Sequence, residues 1–396
     1  MTARDYQTVQ CPVCRSEEVT RMLSIPAVPV MCNVQWPSRM QAEMAPRGGI
    51  DLLFCSGCGH VFNSLFDPSK IEYIGDYQNA LHYSPRFRQF SNQLAARLVK
   101  TYQLYKSSIV EIGCGTGDFL STLCSHGDNE GYGFDPGYTA LPGSSLPNGV
   151  TIIPNEYSEQ YADIDPAFVT CRHVLEHVPD PVTFLQGLRK TLTLHREVPV
   201  YFEVPSMNYS FREAGIWDLI YEHFSYFTAE SLDTTFSSAG FLVKKIEHCF
   251  GDQFIGIEAI ALTSNEVNST PTTGDTSSLA SSAAQFGKFY NSKVHKWKEW
   301  VDAISKRGEK AVIWGAGSKG VTFLNIADGD RAIQYAVDLN PDKQGRYVAG
   351  TGQEIITPEY LEQVRPDHIL VTNPLYVSEI RKMLSDREIT AEVSCV

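Results

Sequence analysis

Between Ile216 and Leu232 the chain reads IWDLIYEHFSYFTAESL, which sets Glu222 beside His223 and flanks the pair with Tyr221 and Tyr226. An imidazole, with an unperturbed pKa of ~6.5, is the side chain best suited to take a proton from an acceptor at neutral pH. A neighbouring carboxylate can orient the ring or bind a substrate, and tyrosine hydroxyls can hold a developing oxyanion. On a strand, adjacent side chains point to opposite faces, so the spacing leaves both roles open for Glu222. The same residues also suit a half-buried strand that covers its rings and keeps the polar tips wet.

A second set of chemically competent residues lies at the N-terminus, where CPVC (Cys11, Cys14) and CSGC (Cys55, Cys58) form two CxxC pairs. Each pair brings two thiolates to one ion from a tight turn, and two pairs complete a tetrahedral zinc site. One pair alone would serve a redox dithiol. Four thiolates leave no coordination position for substrate, so the zinc is expected to hold a module of residues 1–65 together, with His60 as a neighbour of the site. The net charge of -13 argues against a general grip on nucleic acid or anionic lipid and favours a small-molecule substrate. The first residues, MTARDYQTVQ, lack a signal-peptide layout, and no apolar run approaches the ~18 residues of a membrane span. A cytoplasmic protein with thiols or metal ligands rather than disulfides is expected.

Elements must position these groups, and the middle of the chain supplies them. SSIVEIGCGTGDFLSTLCSHG runs from branched apolar residues through Glu111 to Gly113, Cys114, Gly115 and Gly117, then into an amphipathic stretch from Asp118. This reads as a strand, a glycine turn and a helix, in which missing side chains let a ligand lie on the backbone. Asp135 and Pro136 in GYGFDP end a second strand 18 residues past Gly117, where a carboxylate can accept two ribose hydroxyls.

VEIGCGTGDFL, GFDP and VTCRHVLEHVPDP together resemble the successive signatures of class I S-adenosylmethionine (SAM) dependent methyltransferases. The resemblance implies that the glycine turn cradles the methionyl part of SAM, that Asp135 holds the ribose and that His173 lies near the methyl-transfer side. Glu176 and His177 are expected in the helix that follows, where packing serves them at least as well as chemistry. VPVYFEVPSMNYSF reads as a fifth strand, and GFLVKKIEHCF with QFIGIEAIALTS as an antiparallel finish to the sheet. The acid-histidine stretch then falls where such enzymes insert a substrate cap.

The Ser/Thr-rich residues that follow read as a linker, placed at 266–285, and a helix with Phe286, Phe289, Val294, Trp297 and Trp300 comes next. In KAVIWGAGSKG, Gly315, Gly317 and Gly320 fit a dinucleotide turn, with Asp338 21 residues beyond Gly317. Nicotinamide binding and close strand-helix packing both fit this spacing. The order of parts is similar to the sugar C-methyltransferase family. That similarity implies an α/β chain of three units: the zinc module, a Rossmann-like class I methyltransferase domain with a substrate cap over 66–265, and a C-terminal Rossmann-like domain over 286–396 without a redox cofactor. It further implies a nucleotide-linked 4-keto-deoxysugar as acceptor, with His223 as base, Glu222 and Tyr221 as its neighbours and Tyr77 as a remote tyrosine. C-, O- or N-methylation of a different small metabolite, or a SAM-binding scaffold without activity, are the alternatives.

Overall fold

The computed structural model describes residues 9–71, 81–139, 146–147, 149–193, 197–263, 276–329 and 331–396. Tyr77 lies outside the described residues. Three strands, β1 (Val19–Pro29), β2 (Arg47–Cys55) and β3 (Val61–Asn63), pair antiparallel at the N-terminus, and the turn from β2 to β3 carries Cys55 and Cys58.

The helix Pro85–Tyr102 leads into the central domain. Ser84 caps it by accepting from the Phe87 N–H, with proline in the first turn, and Gln103 in a left-handed conformation closes it. Five parallel strands follow: β4 (Ser108–Ile112), β5 (Glu130–Phe134), β6 (Val150–Ile153), β7 (Phe168–Arg172) and β8 (Val198–Pro205). Their near-continuous apolar character matches a sheet covered on both faces, and Ile109, Val110, Phe168 and Val169 are fully buried.

A two-residue strand, β9 (Ser225–Tyr226), leaves this domain and pairs antiparallel with β3, so the acid-histidine stretch is stitched into the N-terminal sheet. β10 (Phe241–Cys249) and β11 (Phe254–Ala261) complete the central sheet in the order β10-β11-β8-β7-β4-β5-β6, with β11 antiparallel to both neighbours. This is the expected Rossmann-like class I arrangement with its antiparallel finish.

The long helix Ser277–Arg307 begins eight residues before the expected end of the linker, so residues 277–285 are helical. It buries Leu279, Ala283, Phe286, Tyr290, Trp297, Val301 and Ile304 along one stripe. Beyond it, β12 (Ala311–Trp314), β13 (Ile333–Val337), β14 (Glu354–Ile356), β15 (His368–Val371) and β16 (Glu392–Cys395) form a wholly parallel sheet, the C-terminal Rossmann-like domain.

One apolar core runs from Ile25 and Ile50 of the N-terminal sheet through Trp217 and Ile220 to Phe286, Trp297 and Phe323. The central sheet has cores of its own around Phe202 and Leu120. Each large side chain so buried contributes roughly 1.5–3 kcal/mol, so the first and last units are fused by packing rather than merely tethered.

Candidate active site

The glycine loop after β4 is built as its spacing demands. Gly113, Gly115 and Gly117 all have positive φ, and a side chain at Gly113 would run into Val174, with its Cβ 2.2 Å from a Val174 methyl. Around Gly115 a Cβ would meet nothing within 4 Å, so one face of the loop backbone is open to a ligand. Asp135 closes the loop: one carboxylate oxygen accepts from the Gly115 N–H at 2.8 Å and the other from the Gly137 N–H at 2.9 Å. Each oxygen keeps lone-pair capacity for a hydroxyl. Cys114 is buried beneath the loop, against Gly133, and Pro136 follows Asp135 at the mouth.

Glu111, expected among the cofactor-binding residues, lies beneath the glycine loop. It is 3% exposed and accepts from the Leu120 N–H at 3.0 Å, so it holds the first turn of helix Asp118–Gly127 from behind the loop. Burial, with the nearby charges of Asp118 and Asp135, pushes its pKa up from 4.5 to about 8 against the pull of Arg172 and the Leu120 N–H. The folded chain therefore holds a proton that the unfolded chain releases across that interval. The resulting stability is complete below the unfolded value and is lost as pH rises through the folded one. Glu111→Gln keeps an acceptor for Leu120 and has no proton to lose. Its melting temperature should fall less than that of the wild type between about pH 5 and pH 8. Equal slopes would show that Glu111 is ionised in the folded protein.

At the end of β7, His173 has a left-handed φ of 57° and sits between two carboxylates, with Glu203 at 3.1 Å and Glu176 at 3.7 Å. Burial works against its charge, but the hydrogen bonds and charges of Glu176 and Glu203 prevail and raise its pKa to about 9. Arg172 also grips Glu203, at 2.9 and 2.7 Å. Burial opposes ionisation of Glu203, yet Arg172 and His173 together hold its pKa down at about 2. His173 is thus a fixed cation in the wall of the site.

Glu176 and His177 lie in a 3-10 turn, Leu175–His177, ahead of helix Pro181–Leu192, and not within that helix as expected. The turn carries His177 to His223, ring centroids 4.9 Å apart and edge to face. His177 Nδ1 lies 2.9 Å from the Glu222 carbonyl oxygen, which can only accept, so Nδ1 carries a proton and, in the neutral ring, Nε2 is the nitrogen with the lone pair. His223 is partly exposed and packs on Tyr226 at 5.7 Å. Burial, followed by the electrostatic influence of the neighbouring His177, His173 and Lys319, holds its pKa well below the usual value. It is neutral at pH 7 and has a lone pair to offer.

The flanking residues have other work. Tyr221 is fully buried, accepts from the Asp67 N–H at 2.9 Å and donates to the Leu65 carbonyl at 3.3 Å. Its proton is committed to a backbone loop, which corrects the expectation that it faces the acceptor. Glu222 is also fully buried and accepts from the Cys32 N–H at 3.0 Å, so its carboxylate ties the cap to the N-terminal module. Its part in the site runs through its backbone carbonyl on His177. Tyr226 donates to the Ile220 carbonyl at 2.8 Å and closes the same loop. Residues missed from sequence include Lys319, which reaches from the C-terminal domain into a close ion pair with Asp218 of the cap. No sequence signal marked Lys319, and the Glu-His dipeptide, present at 176–177, 222–223 and 247–248, does not by itself single out the two that meet here.

The four cysteines of the CxxC pairs converge, with Cys11 and Cys58 sulfurs 3.6 Å apart, Cys14 and Cys55 sulfurs 3.5 Å apart and all four within 4.8 Å of one another. The edge of a tetrahedron with ~2.3 Å zinc-sulfur bonds is ~3.8 Å, so the donors fit one zinc ion.

In the C-terminal domain, an added Cβ at Gly320 would fall 1.9 Å from the Gly315 carbonyl oxygen, so this glycine serves close strand-helix packing. Asp338 accepts from the Ala316 N–H at 2.9 Å and the Asn340 N–H at 2.9 Å, the pattern that Asp135 makes in the central domain. Asn33 of the N-terminal module lies across this loop and donates to Ser318 Oγ at 3.0 Å.

Residues 82–246 match the family described as a methyltransferase domain, and residues 267–391 match the family described as a C-methyltransferase C-terminal domain. The chain is a SAM-dependent methyltransferase. Its relatives include the C-methyltransferase NovU of Streptomyces niveus, 23% identical over 94% of this chain and 91% of that protein. The ubiquinone biosynthesis O-methyltransferase of Pseudoalteromonas translucida is 34% identical over a shorter stretch, 22% of this chain and 40% of that protein. A crystal structure of a SAM-dependent methyltransferase from Aquifex aeolicus is 16% identical, covers 50% of this chain and 100% of that one, and gives a TM-score of 0.34.

With the cofactor class established, Asp135 carries a quantitative expectation. Asp135→Ala removes charge-assisted hydrogen bonds worth roughly 1.5–3 kcal/mol each and also frees the Gly115 N–H, so SAM affinity should fall by roughly 10- to 100-fold for each hydroxyl bond lost. Calorimetry on the apo protein measures this. Unchanged affinity would move the ribose site elsewhere.

Proposed function

We propose that this methyltransferase transfers the SAM methyl group to a carbon alpha to a ketone, on a nucleotide-linked keto-deoxysugar. SAM, when bound, supplies an electrophilic methyl group. The observation that carries the reading is His223, a partly exposed imidazole after the fifth parallel strand with a second imidazole, His177, beside it at a ring separation of 4.9 Å. His223 would take the alpha proton, and the resulting enolate carbon would accept the methyl group as the methyl–sulfur bond breaks and S-adenosylhomocysteine leaves. His177 and the His173 cation line the same wall. The alignment with a C-methyltransferase along nearly the full chain supports carbon as the methylated atom.

The C-terminal domain, fused by its core to the N-terminal module and reaching the cap through Lys319, is suited to enclose the nucleotide end of such an acceptor without a redox cofactor. The cluster of four cysteines holds zinc in a structural role.

The direct test is to incubate the enzyme with methyl-labelled SAM and a panel of nucleotide-linked 4-keto-deoxysugars and to locate the label by carbon NMR. A new carbon-carbon bond next to the ketone is expected. Label on oxygen or nitrogen would favour methylation of a different small metabolite, and no turnover with any acceptor, despite SAM binding, would favour a scaffold.

A further inference from the structure

Glu176, His177 and His223 come from two segments of the chain, yet one donor atom of each lies within 4.8 Å of the others. Glu176 is 2% exposed, and one of its oxygens, Oε2, has no hydrogen-bond partner among the described residues. A buried acceptor left without a donor is costly, and a native structure rarely retains one without a ligand to meet it. His177 is prepared in the way of a metal-binding histidine: its Nδ1–H is anchored on the Glu222 carbonyl at 2.9 Å, which leaves Nε2 as the nitrogen with a lone pair for an ion. We infer that Glu176, His177 and His223 form a binding site for one divalent transition-metal ion, separate from the four cysteines.

The donor set indicates the class of ion. Two imidazoles and one carboxylate suit zinc, cobalt, manganese or iron(II), whereas calcium and magnesium prefer sites made of oxygen alone. Three protein donors leave coordination positions open, and His177 and His223 are both partly exposed, so a small oxygen ligand can reach the ion. Ligand atoms around such an ion stand ~3.4 Å apart at bond lengths of ~2.1 Å. Binding would draw the three donor atoms, now within 4.8 Å of one another, closer together. A nitrogen that holds a cation cannot accept a proton, so occupancy of this site and proton abstraction by His223 exclude one another. The site does not depend on the acceptor's identity, and a binding measurement made without acceptor or SAM tests it apart from the proposed reaction.

The experiment is a cobalt(II) titration of the full-length protein as purified, with its zinc content measured first. The expected result is one further equivalent of cobalt with weak visible absorption and without the intense near-ultraviolet band that thiolate ligands give. Glu176→Gln and His223→Gln should each weaken that binding by at least roughly tenfold, the scale seen when metal-site residues are altered. Retained SAM affinity serves as the check on folding. A second readout needs no variant: among the 10 histidines, cobalt should shift or broaden the ring signals of His177 and His223, with neighbouring His173 affected less. No cobalt beyond the thiolate site, equal affinity in both variants, or perturbation confined to other histidines would overturn the assignment.

Discussion

His223→Gln should lower kcat by roughly 10²- to 10⁴-fold while SAM affinity stays close to that of the wild type. A base acts on the acceptor in the transition state, and the loop proposed to hold the cofactor follows a different strand and is closed by Asp135. Because His223 is held neutral, no proton has to be removed from it before it works at pH 7. Hydrogen exchange isolates the step. With a keto-sugar acceptor in heavy water and a SAM analogue that cannot donate its methyl group, the wild type should exchange the alpha hydrogen and His223→Gln should not. Equal exchange in both proteins would move the base elsewhere, with His177 the nearest substitute at a ring separation of 4.9 Å. Tyr221→Phe is expected to cost less in kcat and more in stability, since its hydroxyl serves Leu65 and Asp67.

Loss of the zinc proposed for the four-cysteine cluster should have the second large effect. Structural zinc in small domains is worth about 10–16 kcal/mol of folding free energy at neutral pH, so Cys55→Ser with Cys58→Ser should unfold the knuckle and fray β2 and β3. The damage should reach catalysis by a defined route. β3 pairs with β9, two residues past His223, and the fully buried His60 lies 3.3 Å from the Ser225 hydroxyl. Methyl transfer should therefore fall steeply while SAM binding by calorimetry changes little. A double variant that retains one zinc per chain, or that loses zinc and still methylates at the wild-type rate, would contradict this coupling.

Much of this was readable along the chain because some requirements are local. A glycine turn that must approach a ligand and a carboxylate at the end of the next strand are set by backbone geometry, and both Gly115 and Asp135 stand where their spacing placed them. The CxxC pairs are equally local, and their two halves meet as their chemistry requires. The start of the long helix was hidden because Ser281 and Ser282 satisfy their hydroxyls on the carbonyls of Ser277 and Ser278, so a polar run that resembles a linker is compatible with helix. The partners of Tyr221 and Glu222 were not readable either, since each bonds to backbone more than 150 residues away. The approach of His177 to His223 depends on a single 3-10 turn, which no periodicity announces, so chemistry and packing stay equally open for it in the sequence.

The short pairing of β9 with β3 also bears on how the molecule is made. His60 and Ser225 are 165 residues apart, so the loop that carries His223 finds its partner only after the intervening chain has been synthesised and compacted. Contacts of such long range are slow to form because the entropy of closing the loop is lost before any pairing offsets it. The SAM loop depends on neighbours 20 residues apart, as in Gly115 and Asp135. A nascent or refolding chain is therefore expected to close its glycine loop before β9 pairs with β3, and so before His223 is held in place.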